Sequence, residues 1–153
     1  MSTSMRVAQP PNGWLRNGGR AVARENVELV YRFGAAVNAR EVPDGLLTPD
    51  FVMANAETAV TDKTYTGGRG VIEWTEDIFE AFDNAALFEV ERVVADSDEF
   101  VVTYNRISGV GARSGAPLTF RWAAVLWVRD GKLARVVGYL RGREALKAVG
   151  IED

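Results

Sequence analysis

The last third of the chain most constrains its fold. Pro117-Leu118-Thr119-Phe120-Arg121-Trp122-Ala123-Ala124-Val125-Leu126-Trp127-Val128 is a long β-rich run, Arg129-Asp130-Gly131-Lys132 interrupts it, Leu133 to Leu140 resumes it, and Arg143 to Gly150 closes the chain. This order predicts a long strand, a tight turn, a second strand and a short helix. Asp-Gly between two apolar runs is a strong hairpin signal, because both central residues of a type I′ turn need positive φ, which Asp and Gly tolerate. Side chains alternate along a strand, so Phe120, Trp122, Ala124 and Leu126 share one face while Arg121, Ala123, Val125 and Trp127 share the other. Both faces are largely apolar and both are expected to be covered. A hairpin of this kind can wall a pocket.

The chain's 153 residues are 47% apolar and contain neither His nor Cys. That length and composition fit one soluble domain with a sizeable core. The missing residue types exclude Ser-His-Asp triads, thiolate nucleophiles, thiolate zinc sites, imidazole ligands and disulfides. Carboxylates, Tyr, Lys, Arg and neutral hydrogen-bonding groups remain. No acidic loop has calcium-site spacing, so no metal and no cofactor is expected. A formal charge of −3 without a Lys/Arg cluster argues against nucleic acid or an anionic membrane as partner, and favours a neutral or weakly charged small molecule. Met1 to Gln9 lacks an apolar core of signal-peptide length, so a cytoplasmic location is the default expectation.

Residues 1–19, with Pro10-Pro11-Asn12-Gly13, a lone Trp14 and Gly18-Gly19, predict an extended arm ahead of a single domain over 20–153. From about Arg20 to Arg40, Val27, Val30, Tyr31, Gly34 and Val37 recur at helical spacing. Pro43 to Leu47 predicts a helical turn and Phe51 to Asn55 a short strand. Gly67-Gly68 then feeds a helix near Arg69 to Phe82, with Val71, Trp74, Ile78, Phe79 and Phe82 on one face; Glu73, Glu76, Asp77 and Glu80 read as its solvated face. Leu87 to Ala95 and Phe100 to Gly109 are β-rich, with Asp96-Ser97-Asp98-Glu99 as their turn. Helices gathered on one side of an antiparallel sheet define an α+β class, and a strongly curved sheet would make a cone open at one end.

These residues carry a resemblance. Asn38-Ala39-Arg40, Leu46-Leu47-Thr48-Pro49-Asp50-Phe51-Val52, Tyr65-Thr66-Gly67-Gly68-Arg69-Gly70-Val71, Arg129-Asp130-Gly131-Lys132 and Tyr139-Leu140-Arg141-Gly142-Arg143-Glu144-Ala145-Leu146-Lys147-Ala148-Val149-Gly150 together resemble the SnoaL-like branch of the nuclear transport factor two-like (ketosteroid-isomerase-like, cystatin-like) superfamily. The likeness spans residues 24–150. Gln9-Pro10 and Trp14 resemble the arm of limonene-epoxide-hydrolase-like members, and Arg106 falls where those enzymes place a mid-strand arginine. The resemblance implies a cone-shaped, mostly antiparallel sheet wrapped around N-terminal helices, an apolar pocket and a homodimer.

The resemblance transfers function only in part. Ser108 and Gly138 stand where the hydrolases' two aspartates would be, and Met53 stands at their tyrosine. Asn55 matches their water-holding asparagine and is also the counterpart of the isomerases' general-base aspartate. SnoaL-type cyclases use an Asp/His arrangement that this chain cannot build, and Arg141 replaces an aspartate of the terminal motif. Strand parity with an inward Arg106 puts Tyr104 and Ser108 inside too. The resemblance adds Phe120, Trp122, Ala124, Val136, Gly138 and Leu140 to the same inner surface. The candidate catalytic set is thus Arg106, Asn55, Tyr104 and Ser108, and the substrate walls are Met53, Trp74, Phe79 and those inner-strand residues. Arg106 serves a ligand, pairs with a carboxylate such as Asp50, or sits at the sheet surface. Tyr65, beside the glycines, could donate a proton at the cone mouth.

The first functional reading is an enzyme that cyclises or isomerises a polyketide- or terpenoid-type intermediate, mainly by orientation plus the Arg106 charge. The second is a non-catalytic ligand-binding module. The third is an epoxide-hydrolase-like enzyme with relocated carboxylates such as Glu57 or Asp62. Ala123, Val125, Trp127, Val137 and Tyr139 fall on the outer sheet face with no element assigned to cover them, so a homodimer through that face is expected, the alternative being a monomer in which the N-terminal arm folds over the patch through Trp14.

Overall fold

The computed structural model describes residues 16–56, 63–83 and 86–151. Trp14, Glu57 and Asp62 lie outside them. Helix α1 spans Arg16–Ala39, followed by a 3₁₀ turn at Asp44–Leu46, strands β1 (Leu47–Asn55) and β2 (Tyr65–Thr66), and helix α2 (Gly67–Phe79). Strands β3 (Leu87–Asp96), β4 (Phe100–Val110), β5 (Pro117–Arg129) and β6 (Lys132–Tyr139) come next, and helix α3 (Gly142–Ala148) is last. No helix among the described residues is long and apolar enough to cross a membrane.

The six strands form one sheet in the order β2-β1-β6-β5-β4-β3, antiparallel except for the β1–β6 pair. The α+β class holds. The β5–β6 turn takes the conformation its residues favour, with Asp130 at φ 55° and Gly131 at φ 76°. Two helices fill the concave side. On α1 the buried stripe runs through Ala23, Val30, Phe33 and Val37, while Tyr31 is 49% exposed and falls off the face expected of it. The helix starts at Arg16, so the Gly18-Gly19 pair expected in the arm lies within it.

Two amides fasten α1 to the sheet. Asn38 closes the edge strand, its Nδ2 donating to the Phe88 carbonyl at 2.7 Å while its Oδ1 accepts from the Phe88 N–H at 2.9 Å. Asn26 Nδ2 donates to the Ser97 carbonyl at 3.1 Å. Backbone groups of an edge strand would otherwise be left to water or to another chain. The main core holds Phe51, Val71, Val101, Ile107 and Leu133, each at most 1% exposed. Each such side chain contributes about 1.5–3 kcal/mol by leaving water.

The outer face is covered within the chain. Ala145, Leu146 and Val149 of the C-terminal segment, with Ile151, pack over Phe100, Val102, Ala123, Val125, Trp127 and Tyr139 as a second apolar cluster. Ala123 and Val125 are 1% and 0% exposed. The expected homodimer rested on this patch having no cover, and α3 removes that premise. Its helical spacing brings Ala145 and Val149 onto one side, which is the side that docks.

Candidate ligand-binding site

An open cavity of about 530 Å³ lies between α2 and the concave ends of β5 and β6. Trp74, Ile78, Ala81 and Phe82 come from α2 and the turn after it. Leu118, Phe120 and Trp122 come from β5, Leu140 from the end of β6, Asn55 from the end of β1 and Tyr65 from β2. Its volume suits a small-molecule site, and its make-up of apolar walls with a few polar groups is usual for one. Trp122 is the centre of the wall: it stacks on Phe120 with ring centroids 5.5 Å apart, meets Trp74 edge-on at 6.2 Å and tilts against Phe88 at 5.7 Å.

The polar edge of the cavity is a hydrogen-bonded pair. Tyr65 Oη donates to Asp77 Oδ2 at 2.8 Å, and Lys63 Nζ lies 3.0 Å from the same oxygen and 2.8 Å from Glu73. Asp77 stands one turn after Trp74, which puts a carboxylate at the rim of an aromatic stripe. Burial, together with the bond to Asp77, pushes the Tyr65 phenol up to about 12. Tyr65 and Lys63 in turn hold the Asp77 carboxyl below its usual range. At neutral pH the pair is therefore a neutral phenol and a carboxylate.

The Tyr65 shift has a measurable consequence. Its folded value lies above the unfolded value near 10, so the stabilisation is fully present below about pH 10 and is lost as pH rises through about 12. A phenolate absorbance titration should show a late-ionising tyrosine that is missing from Tyr65→Phe. A titration of that variant identical to the parent's, less one ordinary tyrosine, would contradict the assignment.

The structure separates the sequence-based candidates. Asn55, Trp74, Phe120, Trp122 and Leu140 line the open cavity. Met53, Ala124, Val136 and Gly138 line a narrow extension beneath it. A larger residue in place of Gly138 would displace the Asn55 amide, because an added Cβ would lie 2.7 Å from its Oδ1. Arg106, Tyr104 and Ser108 are not in the cavity. In the β4–β5 ladder Asn105 pairs with Trp122 and Arg106 with Arg121, so Asn105 shares the inward face and Arg106 the outward one.

Outside, the Arg106 guanidinium bonds Glu89 and lies 3.4 Å from Glu91, which Arg121 also meets at 3.2 Å. The carboxylate partner foreseen as Asp50 is instead bonded to Arg129. Tyr104 lies under the Arg92 guanidinium and against the start of α3, where a Cβ on Gly142 would approach its hydroxyl to 2.4 Å. Ser108 pairs with Leu87 and Thr119 on the same outer face. Phe79 is also absent from the walls: it is 7% exposed beneath the Arg40 guanidinium, 3.9 Å away. At about 100° per helical residue it stands roughly 140° round from Trp74, whereas Ile78 stands roughly 40° round.

A SnoaL-like domain model matches residues 27–136. The chain belongs to the SnoaL-like domain family. Among solved structures, this SnoaL-like domain is similar to a putative SnoaL-like polyketide cyclase from Jannaschia sp. CCS1, with TM-score 0.62 and 17% identity over 86% of this chain and 96% of that one. It is also similar to AclR, a putative hydroxylase from Streptomyces galilaeus, with TM-score 0.60 and 18% identity over 86% and 89%. A third is TerC co-crystallised with polyporic acid, with TM-score 0.61 and 16% identity over 83% and 99%. At these identities the likeness is one of fold. No curated protein matches the sequence significantly.

The residues that sequence reasoning missed in this SnoaL-like domain are Asp77, which was read as solvated surface, Tyr139, which was placed on the outer sheet face, and Ala81, Leu118 and Thr119, which nothing singled out. Asp77 carried a signal, because i+3 from Trp74 is the same helix face. Among the described residues no group of three or more acidic side chains converges as a metal site would require.

Proposed function

We propose that this SnoaL-like domain binds a hydrophobic, polycyclic-sized small molecule and cyclises or isomerises it, with Asp77 and Tyr65 handling the proton. The observation that carries this reading is the Tyr65–Asp77 hydrogen bond on the rim of an otherwise aromatic cavity. A guest filling the cavity excludes water from Asp77, whose side chain is 44% exposed when the cavity is open. Desolvation raises a carboxylate's proton affinity and moves it toward useful basicity. Asp77 then takes a proton from carbon next to a guest carbonyl, and the enolate attacks a second carbonyl or is reprotonated at another carbon. The proton returns from Asp77, so the reaction needs no redox partner.

The walls hold the guest in its reactive conformation, and an Asn55 N–H is the group available to steady the enolate oxygen. The familial cyclase and the polyporic acid complex of the similar fold are in keeping with such a guest. Arg106 has no part in this scheme. The test uses 2-tetralone, a bicyclic ketone, in deuterated buffer. Protein-dependent exchange of its α-hydrogens, read by NMR, supports the reading. Binding without exchange leaves a carrier, and no binding defeats the pocket.

A further inference from the structure

Two small voids share walls with the open cavity. Beneath it, a void of about 20 Å³ is lined by Met53, Asn55 and Gly138, and a further void of about 30 Å³ reaches Thr103 and Asn105 on β4. Trp74 and Trp122 border all three spaces. Thr103 and Asn105 are 1% and 4% exposed, and Thr103 Oγ1 and Asn105 Oδ1 have no hydrogen-bond partner. They sit two residues apart on one strand face, with Cα atoms about 7 Å apart, within reach of one bridging oxygen.

Buried polar atoms are nearly always paired, and an unpaired one is costly to keep. Val or Leu would fill these two positions at less expense to folding, as Ala124 and Leu126 do on the neighbouring strand. Two such atoms facing the same void are what a polar guest would satisfy. Deepening the function proposed above, and resting on it, we propose that Thr103 and Asn105 form the hydrogen-bonding floor of the pocket and bind a hydroxyl of the guest. The hydroxyl accepts from the Thr103 O–H and donates to the Asn105 carboxamide oxygen. A carbonyl could meet only the first of these groups, and a hydroxyl fits either way round of the amide. The chemical class is thus a phenol, enol or alcohol attached to an apolar ring system, entering edge-on past Trp122.

The void is also large enough for one water. Calorimetric titration with 2-naphthol and 2-methylnaphthalene, which match in shape, separates the two occupants. The parent protein should favour the naphthol by roughly five- to tenfold, the value of one satisfied buried hydrogen bond. Thr103→Val removes the donor and leaves the Asn105 acceptor, so it should cut the ratio by roughly two- to fourfold with an unchanged or higher melting temperature, because it deletes an unpaired hydroxyl. Thr103→Ser should keep the preference, whereas Asp77→Asn should not alter it. A preference undiminished by Thr103→Val, with or without a drop in melting temperature, overturns the floor in favour of a structural water. Equal binding of both probes by the parent defeats the floor and leaves the pocket, while binding of neither defeats both.

Discussion

Trp122→Ala is expected to lower the unfolding free energy by about 3 kcal/mol, the lower end of the range for a buried aromatic, because one side of the indole already faces an open cavity. It should also cost most of the affinity for bicyclic probes. The ring contacts Phe88, Phe120 and Trp74 at once, so its loss removes three aromatic pairs and joins the three voids into one. Urea denaturation should show a lower midpoint with an unchanged slope. A loss below about 1 kcal/mol with probe affinity intact would mean that the ring is peripheral, and the pocket would have to be redrawn.

Asp77→Asn is expected to slow α-hydrogen exchange of 2-tetralone by about a hundredfold or more, the usual contribution of a general base. The isosteric amide keeps a partner for the Tyr65 hydroxyl, so probe affinity and the melting temperature should change little by comparison. The split between rate and affinity identifies the role. If affinity and exchange fall together, Asp77 only shapes the rim, and the proton passes through another group.

How much of this was legible beforehand varied along the chain. The β5–β6 hairpin was readable because one dipeptide, Asp130-Gly131, satisfies a backbone requirement few residues can meet. With the turn fixed, counting put Phe120, Trp122 and Ala124 on one face, and the resemblance turned that face inward. Strand β4 had no such anchor. From Phe100 to Tyr104 its residues are apolar or weakly polar on both faces, so the choice of face fell on the neighbours Asn105 and Arg106.

The resemblance favoured an inward arginine. Electrostatics decides the other way, because Glu89, Glu91 and Arg121 make the outer face the one place where a guanidinium is both paired and wet. That choice of face carried Tyr104 and Ser108 with it. The cover over the outer sheet was hidden for a different reason. Helix α3 was visible as a short helix over Arg143 to Gly150, but sequence alone does not say against which face so short a helix folds. Asp77 escaped because helical patterning assigns charged residues to solvent, and a rim position is solvent and pocket wall at the same time.

The crowding between Gly138 and Asn55 bears on how this pocket could change chemistry by mutation. Any side chain at 138 would meet the Asn55 carboxamide within 2.7 Å, and the next nearest obstacle, Trp122, is 3.8 Å away. The carboxamide is the movable end of a side chain, so the backbone would tolerate a carboxylate at 138. The amide would be expelled from its place. An acid on β6 and an amide in its present pose on β1 are therefore alternatives, and the two positions are epistatic. A carboxylate gained at 138 would therefore re-aim the Asn55 amide as well, so that one substitution changes two polar groups of the site at once.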